Sequence, residues 1–432
     1  MRTTRFLLLA FAFLWLSTAQ AQSIEEALFL LPDLQFKQLE NGANGARRYE
    51  MKVRQPLDHQ KPELGYFDQL VVLEHRGFDR PVVMNTNGYM ISRRPNEVAN
   101  LLEANYVNVE HRYFGTSLPD TLDWQYLTLE NVTADLHHIR TLLGQIYDDN
   151  SWVSTGISKG GQTTIFYRYF YPDDVTVSIP YVAPLNRGIE DPRIYEFLDE
   201  VGTEECRADI LDFQKRMLKE KKTIMPLLEW YSKGADYSFD YLGSIEKAFE
   251  FAILEYPFSF WQWGSDCADI PDAKADLETQ VQHFLDVVGL AFYDDRSMTL
   301  YAPHYYQAST QMGYYGFETD DFKGLLDELS GNPNASFYPK GSAAQYDNRL
   351  NEKVNAWVAS EADQMLYIYG ELDTWTATGV EITEAVESVK YVLPGKHHGT
   401  ARIFFMDTAM RTDFIEHLEE WLKLEIEDIF GE

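Results

Sequence analysis

The stretch Gly156-Ile157-Ser158-Lys159-Gly160-Gly161 sets a serine between glycines placed two residues before it and two after it. The β-prone run Trp152-Val153-Ser154-Thr155 precedes it, and the run from Gln162 to Phe170 has room for a helix. A G-x-S-x-G at a strand-to-helix junction is the pattern of a nucleophile elbow, in which a sharp turn lifts the serine hydroxyl clear of its neighbours. The turn demands strained backbone angles, and glycines leave space around a serine that has none to spare. A serine hydroxyl attacks carbonyl carbon only when a base takes its proton and a further group orients that base. Two downstream segments offer these. The apolar run Met365-Leu366-Tyr367-Ile368-Tyr369-Gly370 leads into Glu371-Leu372-Asp373-Thr374-Trp375, and Lys390-Tyr391-Val392-Leu393-Pro394-Gly395 leads into Lys396-His397-His398-Gly399. The order serine, acid, histidine is the one the elbow motif predicts. Asp373 is preferred over Glu371 on the motif, and His398 over His397 because Gly399 leaves its ring uncrowded. The oxyanion would be held by the backbone N–H of Lys159 and by a second N–H from Asn85-Thr86-Asn87-Gly88-Tyr89, with Gly88 or Tyr89 as donor. Asn87-Gly88 reads almost as well as a plain turn. This chemistry is acyl transfer through a covalent serine intermediate, and it needs no metal and no organic cofactor.

Positioning these groups requires a layered scaffold. Strand-like segments recur at 67–74, 81–85, 106–110, 152–155, 175–179, 364–369 and 389–393, and helical patterns cover 131–146 and 408–424. Alternating strands and helices predict an α/β-hydrolase fold, a doubly wound and mostly parallel sheet. From 191 to 357 the chain turns helical and aromatic, with Tyr256-Pro257-Phe258-Ser259-Phe260-Trp261-Gln262-Trp263 at its centre. We therefore expect a core of 22–190 and 358–432 and an inserted helical cap of 191–357. Ligands of open α/β sheets bind at the C-terminal edge of the strands, so such a cap would shape the pocket.

Bulk properties narrow the partners. Of 432 residues, 37 are Lys or Arg against 68 Asp or Glu, a formal net charge of -31. Phosphate binding needs basic patches, which excludes nucleic acid as a partner class. Residues 1–21 read as a secretory signal: Arg2 and Arg5, an apolar stretch from Phe6 to Leu16, and Ala19-Gln20-Ala21 as the cleavage site. No later run reaches the roughly 18 apolar residues that would span a bilayer, so an exported protein, periplasmic or secreted, is expected. Cys206 and Cys267 are the two cysteines. They are too few for a structural zinc site, and in an oxidising compartment they are expected to form a disulfide.

Three spaced segments now carry a resemblance: Gln55-Pro56-Leu57-Asp58-His59, Glu110-His111-Arg112-Tyr113-Phe114-Gly115-Thr116-Ser117, and the elbow itself. Together they resemble a clan of exported serine exopeptidases that includes the bacterial secreted tripeptidyl aminopeptidases, with lysosomal Pro-Xaa carboxypeptidase and dipeptidyl peptidase II as relatives. The Ser158-Lys159-Gly160-Gly161 form looks most like the tripeptidyl aminopeptidase branch. The resemblance spans most of the chain and is weak in the cap. It implies peptide substrates and a triad of Ser158, Asp373 and His398. It also implies release of short peptides, tripeptides first among them, from free N-termini. Relatives often carry Asp-Pro-Trp where this chain has Asp373-Thr374-Trp375, a change expected to loosen that turn.

Other residues remain open. Glu110 and Arg112, two apart on an expected strand, would share a face and either grip substrate or pair with each other. An aminopeptidase also needs a carboxylate for the substrate ammonium; Glu204, Glu205, Asp266 and Asp269 lie in the expected cap, though each also reads as a solvated acid. Arg93-Arg94 and His137-His138 read as surface and helix. Competing functions on the same framework are a dipeptidyl or post-proline peptidase, a carboxylic esterase, and a catalytically inactive hydrolase-fold binding protein.

Overall fold

Runs such as Val82–Thr86 and Leu366–Gly370 are buried along their whole length, as strands covered on both faces must be. The computed structural model describes residues 23–42, 45–148, 150–329, 336–342 and 344–431; the expected signal segment lies outside them. Its strands are β1 (Leu34–Gln38), β2 (Arg47–Pro56), β3 (Tyr66–His75), β4 (Val82–Thr86), β5 (Asn105–Val109), β6 (Trp152–Ile157), β7 (Val177–Tyr181), β8 (Leu366–Gly370) and β9 (Val389–Leu393). They form one sheet of 9 strands in the order β1-β2-β3-β5-β4-β6-β7-β8-β9. From β5 to β9 neighbours run parallel, while β1, β2 and β3 add an antiparallel flank. This is the mostly parallel α/β-hydrolase architecture expected from the sequence. β1 and β2 were not expected. Tyr49, Met51 and Val53 of β2 are buried on alternate positions between charged residues, the readable sign of a strand with one wet face.

The helices are α1 (Ile24–Phe29), α2 (Glu97–Leu101), α3 (Leu129–Gly144), α4 (Lys159–Phe170), α5 (Arg193–Glu200), α6 (Glu204–Lys219), α7 (Lys221–Ala235), α8 (Ile245–Trp263), α9 (Leu277–Val287), α10 (Asp295–Gln307), α11 (Arg349–Ser360) and α12 (Thr408–Leu422). On one face of the sheet, α2 and α12 bury Val98, Leu101, Phe414 and Leu418 against β4, β6 and β7. On the other, α3, α4 and α11 bury Ile139, Leu143, Phe166, Tyr167, Val354 and Val358. The expected domain boundary at 357 thus falls inside α11, whose apolar face belongs to the sheet; the helix goes with the core.

Helices α5 to α9 build a separate core around Phe213, Phe249, Tyr256 and Phe284. Pro257 interrupts α8 and leaves the Ile253 carbonyl without its amide donor. Gln214 of α6 replaces that donor at 2.6 Å, so the two helices are joined where the proline would otherwise weaken one. Cys206 of α6 and Cys267 are bonded as a disulfide, 61 residues apart in sequence. Closing such a loop removes unfolded-state entropy. Replacing both cysteines by serine should therefore lower unfolding stability by up to about 4 kcal/mol, read by denaturant titration. In the unaltered protein, thiols should titrate in denaturant only after reduction.

Candidate active site

β6 ends at Ile157 and α4 begins at Lys159, leaving Ser158 alone at the junction with φ 59° and ψ -125°. Such a conformation costs roughly 1–3 kcal/mol in a residue with a side chain. It is held from both sides: Ser158 N–H donates to the Tyr181 carbonyl of β7 at 2.9 Å, and the Ser158 carbonyl accepts from Gln162 N–H at 2.9 Å. The crossing is tight enough to require glycine, because a β-carbon on Gly156 would sit 2.3 Å from the Gly160 carbonyl oxygen.

Asp373 follows β8 and is fully buried. One carboxylate oxygen accepts from Trp375 N–H at 3.2 Å, capping the short helix Thr374–Thr378; the other lies 2.8 Å from Nδ1 of His398. With Nδ1–H donated to Asp373, Nε2 of His398 is left as the proton acceptor. The threonine in place of proline does not leave this turn loose: Thr374 Oγ1 donates to the Phe258 carbonyl of α8 at 3.0 Å, buried. His398 N–H in turn donates to the Gln262 carbonyl of α8 at 3.0 Å, and the Trp263 ring stands edge-on to the imidazole at 5.5 Å. His397 faces elsewhere. Its ring lies against Gly264, and its Nδ1 accepts from Gly399 N–H at 3.3 Å. Glu371 is also occupied, accepting from Gly395 N–H at 2.7 Å.

The oxyanion candidates meet beside the serine. Lys159 opens α4, and the first N–H groups of a helix have no partner within it. A β-carbon on Gly88 would lie 2.6 Å from Cβ of Lys159, so the Gly88-Tyr89 loop passes directly over this residue. The Lys159 side chain does something the sequence did not suggest. It is buried, and its Nζ donates to the Gly88 carbonyl at 2.9 Å and to Nε2 of His111 at 3.0 Å. Burial pulls its pKa well below the usual lysine value, and burial followed by the Lys159 charge pulls His111 well below the usual imidazole value. In a trans peptide the carbonyl and the next N–H point opposite ways. By holding the Gly88 carbonyl, Lys159 therefore fixes the direction of Tyr89 N–H.

Ser158, His398, Lys159, Gly88 and Tyr89 line one cavity of about 770 Å³ between the strand ends and helices α8 and α10. Asp373 stands behind it. Glu110 and Arg112 do not line it. β5 ends at Val109, so strand alternation no longer governs them, and they do not pair. Arg112 makes a bidentate contact with Asp135 of α3 and donates to the Pro56, Leu57 and Tyr126 carbonyls. Glu110 accepts from the backbone of Ile91, Thr116 and Ser117. Both are fastenings of the scaffold, so neither the substrate grip nor the mutual pair that the sequence left open is seen here. Glu204, Glu205, Asp266 and Asp269 are exposed and also lie away from this cavity.

Sequence reasoning missed three lining residues. Gln162 is buried with neither amide atom partnered among the described residues. His304 is pushed down to about 3 by burial and then by Lys159, so it stays neutral. Glu255 of α8 was the carboxylate to look for: it recurs at four-residue spacing with Ser259 and falls on the same face as Gln262 and Trp263.

Comparison with known proteins decides the family. A model of the PS-10 peptidase S37 family matches residues 17–414. The chain belongs to that family. As a PS-10 peptidase S37 it is a serine peptidase and acts on peptides. It is 32% identical over 391 residues to the prolyl tri/tetrapeptidyl aminopeptidase of Streptomyces mobaraensis, covering 89% of this chain and 82% of that one. It is 23% identical to a probable serine protease, EDA2, of Arabidopsis thaliana over 304 residues, 60% of each chain. Among solved structures, the proline iminopeptidase of Mycobacterium smegmatis is similar with a TM-score of 0.43 and 13% identity, over 86% of this chain and 99% of that one.

Two mutational outcomes follow from the geometry. His398→Ala should cost several powers of ten in kcat and His397→Ala far less, because the Asp373 contact belongs to His398. Reversed effects in folded protein would move the base to His397. Lys159→Met should lower kcat by about tenfold to a hundredfold with little change in KM, if Tyr89 N–H is the expected oxyanion donor, since the change would misdirect that donor and leave the substrate's ground-state contacts in place. Steady-state kinetics on purified protein read both.

Proposed function

We propose that this protein is an exported serine exopeptidase that releases short peptides, principally tripeptides, from free N-termini. The observation that carries the reading is the buried 2.8 Å contact between His398 Nδ1 and Asp373, next to Ser158 at its strained turn on the same cavity. His398 Nε2 takes the Ser158 proton as Oγ attacks the scissile carbonyl. Asp373 holds the tautomer and stabilises the imidazolium, and the N–H groups of Lys159 and Tyr89 bind the oxyanion. His398 then gives the proton to the leaving amine. Water, activated by the same nitrogen, hydrolyses the acyl-enzyme. The relative from Streptomyces supports release of three or four residues. Export is supported by the leader-like first 21 residues and by the Cys206–Cys267 disulfide, a bond that persists in oxidising compartments.

Ser158→Ala should abolish turnover and fluorophosphonate labelling while leaving the fold intact; activity within tenfold of the unaltered enzyme would remove Ser158 from the role. A tripeptidyl chromogenic amide and its N-acetylated twin test the exopeptidase reading. The free amine should be cleaved at least roughly thirtyfold faster, because acetylation leaves a buried carboxylate without its partner. Equal rates would point to an endopeptidase or esterase. Dipeptides among the products of a mixed peptide library would point to the dipeptidyl relatives.

A further inference from the structure

Two carboxylates line the cavity among the described residues, Glu97 and Glu255. Glu97 is committed, accepting from the backbone N–H groups of Ile403 and Phe404. Glu255 is not. Its contacts are Tyr315 Oη at 2.8 Å and Ser259 Oγ at 3.5 Å, both neutral. α8 supplies its own comparison. Glu250, little more than a turn earlier, is fully buried where Glu255 is half-buried, and it meets Lys221 at 2.6 Å and the N–H groups of Asp327, Glu328 and Leu329. A carboxylate out of bulk water without a cation is costly, and Glu255 opens towards the catalytic cavity. Burial pushes it up to about 8, so a cation arriving beside it would favour its ionised form. Tyr293, Tyr314 and Tyr315 stand around it, and ring faces also attract ammonium groups.

The helix sets the distance. The C-terminal end of α8 is fixed to His398 through the Gln262 carbonyl and the Trp263 ring. Glu255 lies eight residues before Trp263 on the same helix, an axial rise of about 12 Å. An extended chain spans at most about 3.3–3.6 Å per residue. Two residues, at most about 7 Å, fall well short of this rise, whereas three come within about 2 Å of it, less than the reach of a glutamate side chain, and four span it.

We propose that Glu255 receives the ammonium of the substrate's first residue and that α8 measures three residues from it to the scissile bond. This rests on the exopeptidase reading above. The test compares unaltered enzyme with Glu255→Gln, which keeps the size and the acceptor for Tyr315, on a tripeptidyl p-nitroanilide and its acetylated twin. On the free amine kcat/KM should fall at least roughly thirtyfold, mainly through KM. On the acetylated twin it should change by less than about twofold, an asymmetry that a structural role would not produce. Equal losses on both substrates, or none on either, overturn the assignment of Glu255. Unaltered enzyme that fails to discriminate the twins overturns the exopeptidase reading itself, and this is seen before any variant is made. Fluorophosphonate labelling reports whether the variant is folded. If it is not, Glu255→Asp takes its place, with KM raised on the free amine alone. The length is tested separately by Glu255→Gln combined with Ser259→Glu, which moves the carboxylate one turn towards His398, about 6 Å. Mass spectrometry should then find products shortened from three residues to one or two; unchanged tripeptides overturn the measuring role of α8.

Discussion

Everything in the active site depends on a backbone conformation at Ser158 that the residue would not choose for itself. A φ of 59° with ψ of -125° is sustained because β6, β7 and α4 hold the peptide groups on either side of it. The crossing of β6 with the first turn of α4 is so close that side chains at the neighbouring glycines would collide with backbone. The parallel sheet is what makes such a junction affordable. Buried on both faces, β4, β6 and β7 cannot shift to relieve the turn without opening two hydrophobic layers at once. The strain therefore stays at Ser158, the proposed nucleophile, which lines the cavity.

The other triad candidates are fastened differently. Asp373 and His398 sit on loops after β8 and β9, and loops do not hold a hydrogen bond in register unaided. Here α8 does it, through two of its carbonyls: Phe258 takes Thr374, and Gln262, in the last turn where helical carbonyls lack partners, takes His398 N–H. A helix from the inserted region thus braces the chemistry of the core. The same helix presents Glu255, Ser259 and Trp263 to the cavity. On the proposed assignments, catalytic alignment and recognition of the substrate's end would be coupled through one rigid element. The lysine of the elbow contributes similarly on the other side, where its Nζ joins the Gly88 carbonyl to His111.

Much of this was legible in the chain. Glycines two residues to either side of Ser158, the order of Asp373 and His398 behind it, and their positions just past apolar runs are local features. Local features survive folding when tertiary packing agrees with them. The parallel strands read correctly because a strand buried on both faces is a short apolar run bounded by turn residues. β2 was overlooked because its charges, Arg47, Arg48, Glu50, Lys52 and Arg54, outnumber the buried Tyr49, Met51 and Val53.

What the sequence determined by itself was the candidate nucleophile, its candidate partners by residue type, and the layered scaffold, since each follows from periodicity and motif over a few residues. What tertiary structure decided were the partners across space. Glu110 and Arg112 look like a pair in sequence and are drawn apart by Ser117 and Asp135, because buried charges go to whichever donors and acceptors the fold brings nearest. His397 and His398 are neighbours with the same side chain, and contacts made across the fold, the Gln262 carbonyl of α8 among them, turn one of them to Asp373. Glu255 and Glu250 are both glutamates on one amphipathic helix. Which of them keeps a cation and which faces the cavity without one depends on Lys221, a residue distant in sequence, and no local pattern contains that information.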